Sequence, residues 1–251
     1  MKILLSPTKK MKTDRDSLEV KALPCFLDRT EQILARLQKM PPRELQSLWG
    51  CNDAIALQNL ERLENMDLTA GLTPAILSYE GLAFQYMAPS VFSDREIAYV
   101  QEHLRILSGF YGVLKPMDGI TPYRLEMQAA LPVGGCRNLY DFWGRSLYEA
   151  VRDDSGIFIN LASKEYSQCI TKYLQKTDRC VTCTFGGLAA GKVRQKATFA
   201  KMARGEMVRF LAESEADSPE AMKDFNRLGF AFQPELSSES DYVFLLSQTA
   251  T

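Results

Sequence analysis

LRILSGFYGVLKPMDGITPYRLEM, residues 104–127, is the stretch on which the rest of the chain converges. It follows a helix signal: Ser93 and Glu96 form a capping box, and Ile97, Val100, Leu104 and Leu107 recur at helical spacing. The helix is predicted to stop near Ser108. The Gly-Phe-Tyr-Gly corner that follows, Gly109 to Gly112, has two residues without Cβ, so the chain can turn sharply there and expose backbone N–H groups. Such a corner can hold an anion. Lys115, Arg124 and the rings of Tyr111 and Tyr123 are close by in sequence, a mixture that suits a phosphate backbone.

The chain has 251 residues, 46% of them hydrophobic, enough to bury a sizeable core as one domain spanning 1–251. Thirty Lys and Arg stand against 31 Asp and Glu, a formal charge of -1, so no global field draws in nucleic acid and any anion site must come from local clustering. The opening MKILLSP is too short an apolar run for a signal peptide or a membrane span, and the six cysteines are mostly scattered. A reducing cytoplasm and no membrane partner are expected.

Lys2 to Ser6 reads as a buried strand cut off by Pro7, ending in the loop Ser6–Lys10 that carries Lys9. Loops beyond the carboxyl ends of strands often bind ligands in α/β proteins. Helices are predicted from Asp28 to Met40, ended by Pro41 and Pro42, and from about Asn52 to Asn65; Pro74–Tyr79 reads as a strand. Asp141 is a plausible N-cap for a helix carrying Phe142, Trp143, Leu147 and Val151. Ile157–Leu161 is another buried strand, and Ser163 falls at its strand-to-helix corner as an N-cap or an anion contact. Cys180–Phe185 and Val193–Phe199 alternate with period two around a Gly-rich tip, which predicts a hairpin. A helix from Phe199 to Glu213, a shorter one after Pro219 and a strand Tyr242–Leu246 follow. The fold class is therefore α/β, with a mixed sheet flanked by helices.

Gly186–Lys192 has the spacing of a P-loop, but Val193 stands where Ser or Thr is needed and a strand follows where a helix is needed. Cys180 and Cys183 point to opposite faces of the predicted strand, which argues against a shared metal or a redox pair. His103, the single histidine, belongs on a helix surface. Neither a metal nor a cofactor is expected. Glu80, Glu126, Glu165 and Glu206 lie beside the candidate segments and leave carboxylate chemistry open.

The strongest signal is basic. From Lys192 to Arg209, six cations (Lys192, Arg194, Lys196, Lys201, Arg204 and Arg209) face one acid, Glu206. Lys201, Arg204 and Arg209 share one side of the predicted helix, opposite Ala203, Met207, Phe210 and Leu211. Gly205 lies between these cations, where it disfavours a helix by about 1 kcal/mol relative to Ala, so a closely approaching backbone is expected there. Between Glu213 and Asp224 the sign reverses, which keeps the net charge small while leaving one side positive.

The run HLRILSGFYGVLKPMDGITPYRLEM, with ILLSPTK at the start, LYDFWG at 139–144, NLASKEY at 160–166, TFAKMARGEMVRF at 198–210 and FNRLGF at 225–230, resembles the YaaA family of peroxide-stress proteins. The resemblance implies a cytoplasmic protein that protects cells under hydrogen peroxide, lowers free intracellular iron and binds double-stranded DNA through a helix-hairpin-helix element in a basic cleft. Carried over by position, it puts the hairpin at Gly109, Tyr111 and Gly112, and the cleft cations at Lys115, Arg124, Lys164, Lys201 and Arg204. A second helix starting near Val113 would meet Pro116 and Gly119 within two turns, so it should be short or irregular. Lys9, Lys192, Arg194, Lys196 and Arg209 extend the expected DNA-binding set. The rival class is an enzyme acting on a small phosphorylated or nucleotide ligand; a long open groove favours DNA, whereas a closed cavity of about 300–1,000 Å³ favours the small ligand.

Overall fold

Lys2–Leu5 is the spine of the molecule: all four residues are buried, and the strand is hydrogen-bonded to a parallel neighbour on each side. Its one polar member, Lys2, escapes by running its ammonium group out to Glu102, 2.6 Å away. The computed structural model describes residues 1–247. In chain order the first elements are β1 (Lys2–Leu5), α1 (Leu27–Gln38), α2 (Pro42–Trp49), α3 (Asp53–Glu64), β2 (Thr73–Pro74), α4 (Ala75–Ser78), α5 (Leu82–Met87) and α6 (Asp94–His103). Then come β3 (Leu104–Ser108), β4 (Gly112–Leu114), β5 (Gly119–Ile120), α7 (Leu139–Trp143), α8 (Ser146–Val151), β6 (Ile157–Asn160) and α9 (Lys164–Thr171). The last are β7 (Arg179–Ala189), β8 (Lys192–Arg194), α10 (Ala197–Glu213), β9 (Phe230–Phe232) and β10 (Asp241–Leu246).

The main sheet is mixed, as expected, with eight strands ordered β4-β3-β1-β6-β7-β10-β9 and β8 paired to the far end of β7. β3, β1, β6, β7 and β10 are parallel, while β4, β8 and β9 are antiparallel additions at the margins. The chain leaves β1 towards β3 on one side and returns to β6 on the other. The carboxyl ends of β1 and β6 thus form a topological switch point, where open parallel sheets leave a crevice. Ile3, Leu4, Ile106, Leu107, Phe158, Ile159, Val181, Phe185 and Phe244 fill the core between the sheet and its helices.

The capping box at Ser93 is present, but α6 ends at His103, and Leu104–Ser108 is a fully buried strand rather than the last turns of the helix. A short apolar run buried on both faces carries no period that separates strand from helix. The glycine corner therefore joins two antiparallel strands, with Ser108 opposite Gly112 and Ile106 opposite Leu114. The expected helix after Val113 is β4, a turn and β5, so no helix-hairpin-helix stands there. Two consecutive helices elsewhere do pack as a pair: α2 and α3 are joined by Gly50–Asn52, with Gly50 in the left-handed region and Asn52 capping α3 by accepting from the Ile55 amide. Pro42, read as a helix stop, is the first residue of α2, where its missing N–H is harmless.

Smaller corrections follow the same logic. Pro74–Tyr79 is mostly the helical turn α4, and α7 is capped by Asn138, which accepts from the Asp141 amide, not by Asp141 itself. The hairpin of β7 and β8 and the helix α10 form as expected, although α10 begins at Ala197 and β8 is only three residues long. Among the described residues no helix is long and apolar enough to cross a membrane.

Candidate functional site

The switch point holds a cavity of about 500 Å³, lined by the loop after β1 (Ser6–Lys10), the Glu80–Ala83 entry to α5, the strip Tyr123–Glu126, the β6–α9 corner and the first turns of α10. Pro7 ends β1 and sends its loop across the sheet edge. The loop is tied to the β6–α9 corner: the Ser163 amide donates to Ser6 Oγ at 2.8 Å, and Ser6 Oγ lies 3.2 Å from Ser163 Oγ. The Glu80 amide donates to the Lys10 carbonyl at 2.8 Å, and a Cβ on Gly81 would overlap Thr8, so the second wall is pressed against the first.

The glycine corner builds the third wall. A Cβ on Gly109 would come within 2.9 Å of the backbone of Glu126 and Met127, and Trp143 Nε1 donates to the Gly109 carbonyl at 3.0 Å. Ser108 Oγ accepts from the Phe110 and Tyr111 amides, at 3.2 and 2.8 Å, and pairs with the Tyr123 hydroxyl at 2.7 Å. Tyr123 pairs in turn with the Tyr79 hydroxyl at 2.8 Å. This chain of hydroxyls is held away from water, and burial pushes the Tyr123, Tyr79 and Tyr166 phenols well above their ordinary value, so they remain protonated.

Charge in the cavity is mixed. Lys9 Nζ is 2.6 Å from Glu126 and Lys10 Nζ is 3.2 Å from Glu80. Arg124 donates through Nε and Nη2 to the Trp49 carbonyl, at 3.3 and 3.2 Å, tying this strip to α2. Burial raises the Glu165 carboxyl, with the like charge of Glu126 adding to it, against an opposing bond from the Gln128 amide. Arg204 and Lys201 make no hydrogen bond or ion pair among the described residues, but Lys201 is exposed, whereas Arg204 Nε is buried without a partner and burial lowers the Arg204 pKa. Arg204 reaches this position because α10 packs directly on α5. A Cβ on Gly205 would overlap the Ala83 carbonyl, which is the close backbone approach expected for that residue.

The expected DNA-binding set is divided by the structure. Lys9, Arg124, Lys201 and Arg204 line the cavity. Lys164 is exposed at the first turn of α9, and Lys192, Arg194 and Lys196 are exposed on β8 and just before α10, at the same carboxyl edge of the sheet. Gly109, Tyr111 and Gly112 are buried in the β3–β4 turn, with the Tyr111 amide already bonded to Ser108. No phosphate backbone can reach them. Lys115 is exposed but follows β4 back towards the start of β3, at the opposite end from the cavity. Arg209 pairs with Glu213 at 2.7 Å, and Arg227 ties Glu213 to Glu206, so this part of the basic face is neutralised.

Lys10, Tyr166 and Gly81 also belong to the site; of these only Tyr166 falls within a quoted motif, NLASKEY, and Lys10 directly follows ILLSPTK. Of the four carboxylates left open, Glu80, Glu126 and Glu165 line the cavity and Glu206 does not. Cys180 and Cys183 are unbridged on β7, and the P-loop-like spacing is the exposed tip of the hairpin.

The profile of the family described as peroxide stress protein YaaA matches residues 1–236. The chain is 57% identical over 244 residues to a UPF0246 protein of Agathobacter rectalis, covering 97% of this chain and 98% of that one. It is 50% identical over 247 residues to a UPF0246 protein of Limosilactobacillus reuteri and 47% identical over 248 residues to one of Pediococcus pentosaceus; each match covers at least 98% of both chains. With motifs, fold and full-length likeness in agreement, the chain belongs to the YaaA family of peroxide stress proteins.

Proposed function

We propose that this protein serves peroxide defence in the cytoplasm by holding double-stranded DNA along the carboxyl edge of its sheet, through phosphates and without reading bases. The observation that carries this reading is the charge of that edge. Five cations line the cavity there (Lys9, Lys10, Arg124, Lys201 and Arg204) with the acids Glu80, Glu126 and Glu165 among them, and the exposed Lys164, Lys192, Arg194 and Lys196 follow the carboxyl ends of β6 and β7. This local excess of cations supports one positive side on a chain whose net charge is -1. The α2–α3 turn opens on the same edge, through a depression of about 570 Å³ that shares Lys9 and Glu126 with the cavity and is closed by Trp49 and Gly50. In this reading α2–Gly50–α3 is the helix-hairpin-helix element, and its backbone amides meet phosphate oxygens. Six free cysteines fit a reducing compartment.

A fluorescent duplex titrated at several salt concentrations tests the proposal: log affinity should fall linearly with log salt by about 0.9 per phosphate neutralised, with little difference between sequences. Affinity that ignores salt defeats it. The lowering of free iron belongs to the same proposal and is measured as chelatable iron in peroxide-treated cells. Cells that carry variants of the exposed edge cations should keep the higher level.

A second reading, an enzyme acting on a small phosphorylated or nucleotide ligand, is favoured by one observation. The cavity of about 500 Å³ falls in the size range of small-ligand sites.

A further inference from the structure

We infer that the switch-point cavity binds a phosphate monoester on a nucleoside-sized body, with Arg204 as its anchor. Among the described residues, Arg204 is the one cation of the cavity with a buried, unpaired nitrogen. Its Nε is buried and unpartnered, and among the described residues neither a carboxylate nor a carbonyl accepts from its guanidinium. The carboxylates that line the cavity are engaged elsewhere: Glu80 by Lys10, Glu126 by Lys9 and Glu165 by the Gln128 amide. Cys183 on β7, the one group whose charge would act on Arg204, is buried, and burial pushes its thiol up so that it stays neutral. Arg204 is half-buried, with Nε sealed off and no counter-charge beside it, an unfavourable arrangement that an oxyanion entering the cavity relieves, and its planar fork suits the oxygens of a phosphate.

Other features of the cavity narrow the ligand. Lys201 lies one turn before Arg204 and lines the same wall. Ser163, the N-cap residue of the eight-residue helix α9, makes no cap bond with its side chain; its Oγ accepts from Ser6 Oγ at 3.2 Å, and its own O–H can turn to a ligand. A cavity of about 500 Å³ is much larger than inorganic phosphate needs, and Tyr166, Leu125 and Leu161 give it apolar surface for an organic body. Glu165 then accepts from a hydroxyl or amino group at the end away from the phosphate. The inference shares the ligand class of the second reading but needs only binding: binding without turnover leaves it standing and removes the enzyme.

The test is calorimetric titration of the full chain with the four ribonucleoside monophosphates, the matching nucleosides and inorganic phosphate. At least one monophosphate should bind, its nucleoside should bind at least tenfold more weakly, and inorganic phosphate should compete. Arg204→Gln should weaken the monophosphate tenfold or more. Arg204→Lys, which keeps the charge but loses the fork, should weaken it less, and serves if Arg204→Gln does not fold. Glu165→Gln should weaken the monophosphate and leave inorganic phosphate unchanged. Arg194→Ala should weaken DNA while leaving the monophosphate untouched, which separates this inference from the DNA reading. No binding by any monophosphate, or equal binding by wild type and both Arg204 variants, overturns it.

Discussion

Gly205 occupies the middle of a 17-residue helix, where alanine is favoured by about 1 kcal/mol. The structure explains the exception, because a Cβ there overlaps the Ala83 carbonyl and α10 would have to move off α5. Overpacking a buried contact costs about 1–3 kcal/mol, more when the obstacle is backbone. Gly205→Ala should therefore destabilise the protein by about 2 kcal/mol despite its gain in helix propensity, measured as a lower urea midpoint with an unchanged slope. An alanine variant as stable as wild type would mean that the two helices are not in contact. Trp143 is the second informative residue, since its indole N–H bonds the Gly109 carbonyl behind the cavity wall. Trp143→Phe leaves that carbonyl unpaired and should lose about 1–3 kcal/mol in the same assay. Both glycines were conspicuous in the chain as written, but their neighbours come from segments far away in sequence.

At the scale of elements, the signature stretch changes its role. It is a central strand, a buried turn and an edge strand that together hold Tyr123–Glu126 against the cavity, so its glycines serve close packing instead of an anion. Its buried acid gives a pH signature. Burial raises the Asp118 carboxyl to about 6, against an opposing bond from the Lys115 amide. The folded state then holds this proton more tightly than the unfolded chain. Its stabilising effect is complete below the unfolded value near 4 and is lost as pH rises through about 6. Asp118→Asn should abolish that component, up to about 3 kcal/mol, so wild type should weaken relative to the variant between pH 4 and pH 7 in urea unfolding. A constant difference across that range would exclude a raised carboxyl. The α6 boundary was half legible: the capping box marked its start, while its end was hidden because Leu104–Leu107 continues the helical spacing into a strand.

At the scale of the whole molecule, parallel strands send their exit loops to one edge, which is how cations from positions 9 to 204 become neighbours. This geometry divides the basic residues by outcome. Arg194→Ala and Lys196→Ala should each reduce the salt slope of duplex binding by about 1, whereas Lys115→Ala and Arg209→Ala should leave it unchanged. Arg209 is spent on Glu213, and Lys115 lies at the other end of the sheet. A drop in slope for Lys115→Ala comparable to that for Arg194→Ala would show that DNA lies elsewhere.

Local chemistry alone determined a good part of this protein. Apolar runs ended by Pro, a capping box, alternation around a Gly-rich tip and a misplaced helical glycine specified most elements, the mixed α/β class and the basic segment before and along α10. Only the tertiary structure decided which cations share a cavity, because side chains meet through sheet order and strand direction, which no spacing within one segment encodes. It also decided that the glycine corner is interior and that Arg204 Nε has no partner among the described residues, since burial and pairing belong to the assembled fold and not to any stretch of the chain.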